Sequence, residues 1–523
     1  MVGSWCGDNM TTPQQAPYPT RTPQKRYIFF VLSLATIALV ACSILFKKNL
    51  QRSSIPGFFF RRGYNKHVTS IQQFFAAAAS PSHSAASLCN NRIASSASVP
   101  HRSGPAPAAL RQFAVLRAAL LDAADLMAAG GVHIVDTARL LASANALPHF
   151  SLSSGVSPDW HEENNMYQLE ENFEVYLRAS PFVARNADSA ALFFVPQHAL
   201  HDVHWCSGHM PVAKSDDCAQ PPRASHSLRD CMRNATRDYL APLIEAVRET
   251  SHWRARGGRD HFWLFSWDWA ANGFSFGDFY APRLLGNSTY LGYHAGSGGT
   301  QRKPGSRAVP ALVPNEWTAA ATRKVLWGGC EHIIGGGGSK LKGKNLHLAS
   351  FAGSVLEDRA YSRGIRQDLL AAAKAGNLTS DIVVRVGHLP AQTYQDLLES
   401  STFCLCPPGW APWSPRIYAA IAAGCLPVVW QVSGFDMDLP FFEMVDWGAF
   451  LVRVPEGTPA SALPALLRAF SNDEICAMRA ALSEWAPYLL WSSSQRLPLL
   501  LTLVEAWRAE REARERGAVS TGI

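Results

Sequence analysis

Residues 401–446 read STFCLCPPGWAPWSPRIYAAIAAGCLPVVWQVSGFDMDLPFFEMVD. An apolar run stops at Pro407-Pro408-Gly409-Trp410. Ser414 then carries the side chain of a helix N-cap, Pro415 suits the first helical position, and Arg416 falls in the first turn. Gly424 has the residue type that ends helices, and CLPVVW opens a second apolar run. Two apolar runs flanking one helix describe strands of a parallel sheet covered on both faces. Such sheets bind ligands beyond the carboxyl ends of their strands. The free N–H groups and positive end of the helix make an anion site there, and Arg416 adds a planar fork suited to a diphosphate. The plainer alternative is an ordinary strand–loop–helix with an exposed arginine.

The same alternation extends outward. Apolar runs at 190–196, 261–267, 345–352, 382–386, 402–406 and 425–430 read as strands. Segments 237–247, 363–373, 394–400 and 415–423 read as helices, so the expected class is α/β with parallel sheets. Gly, Lys and Pro concentrate at 296–304, which marks a domain boundary near residue 310. The final helix, 498–516, carries Glu–Arg pairs such as Glu510 and Arg514 and reads as a solvated surface helix.

Toward the N-terminus the composition changes. Residues 27–46, YIFFVLSLATIALVACSILF, hold 20 positions without a charge, the length of a membrane-spanning helix. Residues 1–26 are then a short tail, and flanking basic residues nearly balance, leaving orientation open. Residues 47–155 read as an Ala/Ser/Pro-rich stem that includes an Ala/Leu-rich helical patch at 110–141, a candidate to pack on the catalytic region. Asn234, Asn287 and Asn377 head glycosylation sequons in the large C-terminal part. A net charge of +7 with no basic stripe argues against nucleic acid as a partner. The 11 cysteines lack zinc spacing; two of Cys206, Cys218 and Cys231 are placed to pair in an oxidising lumen, and Cys404, Cys406 and Cys425 read as buried thiols.

Residues Tyr394, Ser401, Phe403, Cys404, Leu405, Pro407, Gly409, Ser414, Arg416, Ala420, Gly424, Cys425, Pro427, Val428, Pro440, Phe441 and Trp447 follow one another in an order that resembles the exostosin-like glycosyltransferases. YQLEENFEVYLRAS at 167–180, AALFFVP at 190–196, GRDHFWLFSWDWA at 258–270, and Gly353 with YSRGIRQDL at 361–369 extend the resemblance upstream. It implies two Rossmann-like domains facing a cleft, the GT-B arrangement. These would be an acceptor domain at 156–310 and a nucleotide-sugar domain at 311–495, followed by a helix and tail at 496–523. It further implies inverting transfer from a nucleotide sugar to a glycan, and a type II Golgi membrane protein with its catalytic region in the lumen. A complex with other glycosyltransferases is compatible with this. The family's acidic residue before the alanine at 420 is Ala419 in this chain, which motivates a second reading as a non-catalytic glycan-binding or stabilising partner.

Within this frame Asp268, at the end of a strand, is the candidate general base. The plainer role is a carboxylate capping the following turn. Arg416, Ser414, Gly409, Arg366 and Arg363 are donor-site candidates, with Glu443 as a substitute carboxylate for the ribose. His198 and His201 follow another strand end and are candidates for the acceptor, with a loop of spare histidines as the alternative. Asp436-Met437-Asp438 spells a DxD metal motif, but it follows a GT-B-like element, so neither metal nor cofactor is expected. GSKLKGK at 338–344 lacks the Ser or Thr of a phosphate loop.

Overall fold

A computed structural model describes residues 108–143, 165–207, 227–276, 279–297, 301–302, 306–312, 347–491 and 497–520. All of them fall within one compact unit, comprising 59–71 and 104–523. The expected anchor at 27–46 lies outside the described residues, as do the loop at 338–344 and Cys218. Among the described residues no helix is long and apolar enough to cross a membrane.

Two five-stranded sheets, each parallel throughout, form the frame. The first holds β1 (Val132–Ile134), β2 (Leu192–Val195), β3 (His261–Phe265), β4 (Thr289–Gly292) and β5 (Ser306–Ala308), in that spatial order. Every residue of β2, β3 and β4 is buried, as expected of central strands covered on both faces. The second holds β6 (His347–Gly353), β7 (Ile382–Val386), β8 (Ser401–Leu405), β9 (Leu426–Trp430) and β10 (Val452–Val454). Its spatial order is β7-β6-β8-β9-β10, so the chain steps out from β6 to β7 and returns to pair β8 on the other side of β6. The strand order reverses between β6 and β8, which is where open α/β sheets form a ligand crevice.

Three expectations change. The segment read as stem contains structure of the first sheet. Helix α1 (Ala108–Ala128) leads through Gly130 and Gly131 into β1, which pairs with β2. A Cβ on Gly130 would stand 1.6 Å from the Ser189 carbonyl, so this turn requires glycine. The C-terminal helix, α2 here (Leu497–Ser520), is not a solvated helix. Its first half buries Leu499, Leu500, Leu501, Leu503, Val504 and Trp507, each worth about 1.5–3 kcal/mol of burial. Its charges are used as bridges: Arg307 reaches Glu505 and Glu512, and Asp122 of α1 holds Arg508 and Arg511. The helix thus ties α1 and the first sheet to the end of the chain. Finally, Cys404 and Cys425 are joined in a disulfide, with Cα atoms 5.8 Å apart. Apolar surroundings suggested thiols, but β8 and the residue after Gly424 come together only through the register of β8 on β9. Cys206 pairs with Cys231, and Cys406 remains a buried thiol.

Candidate functional site

Strand β3 ends at Phe265, and Ser266, Trp267 and Asp268 carry the chain out of the sheet. This exit is held from below. Glu170, fully buried, accepts the Ser266 N–H at 2.9 Å and the Ser266 hydroxyl at 3.1 Å. Ala270 adopts a positive φ of 45°, a strained conformation for a residue with a Cβ. Asp268 is enclosed on most sides but keeps some exposure. Desolvation raises its pKa from 3.8 to about 6, and the neighbouring Trp413, Arg366 and His294 work against that rise by favouring the carboxylate. A base poised there is ionised at neutral pH and still accepts a proton readily.

The second half supplies cations. At the carboxyl end of β8, residues 406–415 form the loop that leads to helix α3 (Arg416–Ala423). Pro415 is the cap position and Arg416 the first helical residue, one step later than the sequence suggests. Buried Ser414 accepts the Arg416 N–H from its hydroxyl at 3.4 Å. The Arg416 guanidinium donates through Nε to the Ala352 carbonyl at 2.8 Å and lies 5.1 Å from the Phe351 ring centre. Ala352 and Phe351 belong to β6, so Arg416 stands at the reversal point between β6 and β8. Gly353 is required there: a Cβ would sit 1.8 Å from Nη2 of Arg416. Gly353→Ala should push the guanidinium aside and lower thermal stability, while Gly409→Ala, whose nearest neighbours would be 3.9 Å away, should have little effect; thermal unfolding compares them.

Arg366 lies among the same groups but is not a free donor to phosphate. Four of its five N–H groups are committed, to the carbonyls of Ser354, Pro407 and Pro408 and the Tyr361 hydroxyl. Burial, then the neighbouring Arg416 charge, lowers its pKa to about 9. Its role is to shape the loop, which the Ser362 N–H also holds through the Gly409 carbonyl at 2.9 Å. Ser362 and Arg363 both have positive φ, 60° and 52°, and Arg363 is exposed with its guanidinium 4.4 Å from the Phe435 ring centre.

The halves meet beside these groups. Tyr293 packs on Trp413 with ring centres 4.6 Å apart, and His294 contacts the Asp438 carboxylate, which also accepts the Ala295 N–H at 2.9 Å. The second aspartate of the DxD triplet is therefore an acceptor joining the two halves. His198 donates its backbone N–H to the Tyr239 hydroxyl, and its ring lies 3.9 Å from Glu171. His201 lies on the helix Ala199–Cys206, its side chain outside the described residues. Glu443 is exposed, two residues beyond Phe441, another positive-φ position at 54°. Asn287 and Asn377 are exposed; Asn234 is half-buried in a helix, and its sequon Thr236 is buried with its hydroxyl donating to the Met232 carbonyl. Sequence reading missed Trp413, His294 and Glu170, whose partners lie across 96 to 144 residues or more of chain. An indole between two prolines and an acid inside an amphipathic helix carry no local signal for a site.

Residues 337–470 match the model of the Exostosin GT47 domain. Over those residues the chain is similar to the exostosin-like family. The chain is 36% identical over 123 residues to a probable glucuronosyltransferase of Oryza sativa subsp. japonica, covering 24% of this chain and 27% of that relative. A second rice protein, also a probable glucuronosyltransferase, is 27% identical over 320 residues, covering 58% of this chain and 64% of its own length. The chain thus spans about a quarter of the length of several curated relatives it matches, and about two thirds of the longer matches. A solved structure, the glycosyltransferase WaaG involved in lipopolysaccharide biosynthesis, aligns at 10% identity with a TM-score of 0.29, over 65% of this chain and 95% of that one.

Proposed function

We propose that the chain is an inverting glycosyltransferase that moves a sugar from a UDP-sugar to a glycan acceptor, with its two sheets serving as the Rossmann-like halves of a GT-B enzyme. The observation that carries this reading is a juxtaposition. The carboxylate of Asp268, just beyond the end of β3, lies close enough to Trp413 and Arg366 for both to favour its charged form, and Trp413 stands three residues before Arg416 at the strand-order reversal of the second sheet. A proton acceptor and an anion-binding helix end thereby share one cleft.

In the reaction, the acceptor hydroxyl gives its proton to Asp268 as its oxygen bonds to the anomeric carbon. The bond from that carbon to the diphosphate oxygen breaks, and its electron pair leaves on UDP. Arg416 and the free N–H groups of α3 receive the charge that develops on the leaving group. Ser414, Gly409 and exposed Arg363 border the donor side, and Arg366 braces it. His198 and His201 belong to the acceptor side, on the first half. The reading requires no metal or cofactor. By the same reading residues 27–46 anchor the protein in the Golgi membrane, with the catalytic region lumenal and glycans at Asn287 and Asn377, the more exposed of the three sequons.

The full-length chain in detergent, presented with UDP-galactose, UDP-glucuronic acid, UDP-xylose and UDP-arabinose, should bind UDP and hydrolyse or transfer one donor preferentially. Binding of none, with no hydrolysis, would favour the non-catalytic partner. Ala419 supports that second reading: it is buried in α3, at the place where the family pattern that the sequence resembles has an acidic residue.

A further inference from the structure

Asp268 lies in a short turn whose shape is set from outside the sheet. The Ala270 N–H donates to the Trp267 carbonyl at 2.9 Å and the Asn272 N–H to that of Trp269 at 3.0 Å, which closes the turn around Asp268. The entry to the turn is Ser266, fully buried and two residues before Asp268. Because β3 has ended at Phe265, the Ser266 N–H needs an acceptor beyond the ladder. It donates to Oε1 of Glu170 at 2.9 Å. The Ser266 hydroxyl lies 2.9 Å from the Tyr167 carbonyl and 3.1 Å from the same Oε1. Both partners come from far upstream, 99 and 96 residues earlier in the chain.

Glu170 stands in the first turn of the helix Leu169–Arg178. Phe173 of that helix is fully buried, edge-on to Phe194 of β2 and Phe262 of β3 with ring centres 5.0 and 6.2 Å away. The helix is thereby fixed to the strand whose exit it holds, and the acceptor oxygen is fixed with it. What this place asks of residue 170 is an acceptor rather than a charge. Burial raises the pKa of Glu170 well above its ordinary value, against the Ser266 donors, which favour the carboxylate.

We propose that Glu170 is a positioning residue for the base: by holding the N–H and hydroxyl of Ser266 it sets where the turn leaves β3, and so where the Asp268 carboxylate stands. This rests on the reading of Asp268 as the proton acceptor. Glu170 acts through two residues of backbone and touches no substrate. A base displaced by about 1 Å loses on the order of 10²-fold in rate, so a clamp at this distance from the chemistry is worth a measurable factor.

The test uses the full-length chain in detergent with UDP-galactose, UDP-glucuronic acid, UDP-xylose and UDP-arabinose, reading kcat per folded molecule beside calorimetric titration with UDP. Glu170→Ala removes the acceptor and should lower kcat by about 10- to 100-fold, with UDP affinity at the wild-type value. Glu170→Gln restores an oxygen of the same reach and should recover most of the lost turnover. Should Glu170→Ala fail to fold, Ser266→Ala gives the reading: it keeps the backbone N–H, gives up both hydroxyl contacts, and should lower kcat by a smaller factor at unchanged UDP affinity. A purely structural tie gives another pattern, earlier thermal unfolding with unchanged kcat per folded molecule in these variants, and that overturns the proposal. A Glu170→Gln chain as slow as Glu170→Ala also overturns it, since the site would then need the carboxyl's charge or proton. In both cases an inactive Asp268→Asn leaves the base assignment standing. Wild-type turnover in Asp268→Asn, or no turnover of any donor by the wild-type chain, overturns both readings.

Discussion

Asp268→Asn should lower turnover by about 10²–10⁴-fold while leaving UDP binding intact, and should raise thermal stability at neutral pH. The two effects share one cause. The carboxyl ionises near pH 6 in the folded protein against an ordinary value of 3.8, so the folded state binds its proton more tightly than the unfolded chain. A raised folded pKa contributes stability that is complete below the unfolded value and is lost as pH rises through the folded one. Above about pH 6 the wild-type chain therefore carries a buried charge at a cost of up to about 3 kcal/mol, two pKa units' worth, that an amide avoids. Turnover measured beside thermal unfolding at pH 5 and at pH 8 checks this: the stability gap between variant and wild type should be roughly half as large at the first as at the second, because at pH 5 the unfolded carboxyl is already ionised while the folded one is mostly protonated. A variant that is both inactive and less stable at pH 8 would return Asp268 to a structural role.

Arg416→Ala should weaken UDP binding by about 1.5–3 kcal/mol, the scale of a charge-assisted hydrogen bond, or about 10- to 150-fold. It should leave unfolding nearly unchanged. The arginine does hold the Ala352 carbonyl and cover Phe351, and these contacts are lost. In exchange the variant removes a cation from a helix N-terminus, unfavourable by roughly 0.3–1 kcal/mol, and relieves the like charge that helps depress the pKa of Arg366. Two guanidiniums held this close are complemented by a bound diphosphate. Arg416→Lys should recover only part of the affinity, since an ammonium lacks the planar fork. Isothermal titration with UDP decides; wild-type affinity in Arg416→Ala would place the donor elsewhere.

The strand-order reversal sharpens why these two residues matter. Residues 401–446 announce a strand, a loop, a helix start and a second strand through local signals: apolar runs, Pro-Pro-Gly, a Ser-x-Arg turn and a terminal glycine. Those signals depend on near neighbours in the chain, so the α/β class, the parallel sheets and Arg416 in a first helical turn were legible. The short strands Val132–Ile134, Thr289–Gly292, Ser306–Ala308 and Val452–Val454 were not, because three or four residues give no period to read and their pairing comes from the sheet beside them.

What the sequence determined by itself was therefore the class of fold, the chemical types at the site and the place of Arg416 and Asp268 at element ends. Tertiary structure decided the rest. It placed β6 beside β8, so that Gly353 leaves room for the Arg416 guanidinium. It converted Arg366 from a prospective phosphate ligand into a brace for the loop, since four acceptors converge on it in space. It turned Cys404 and Cys425 from thiols into a disulfide, and the end of the chain from a solvated helix into a buried tie against the first sheet. It also brought Trp413 to Asp268 across 145 residues of chain. The physical reason is the same in each case. Local propensity depends on neighbours a few residues away, whereas a hydrogen bond, a disulfide or a raised pKa depends on which groups burial brings within a few ångströms, and that is settled only when both sheets have packed.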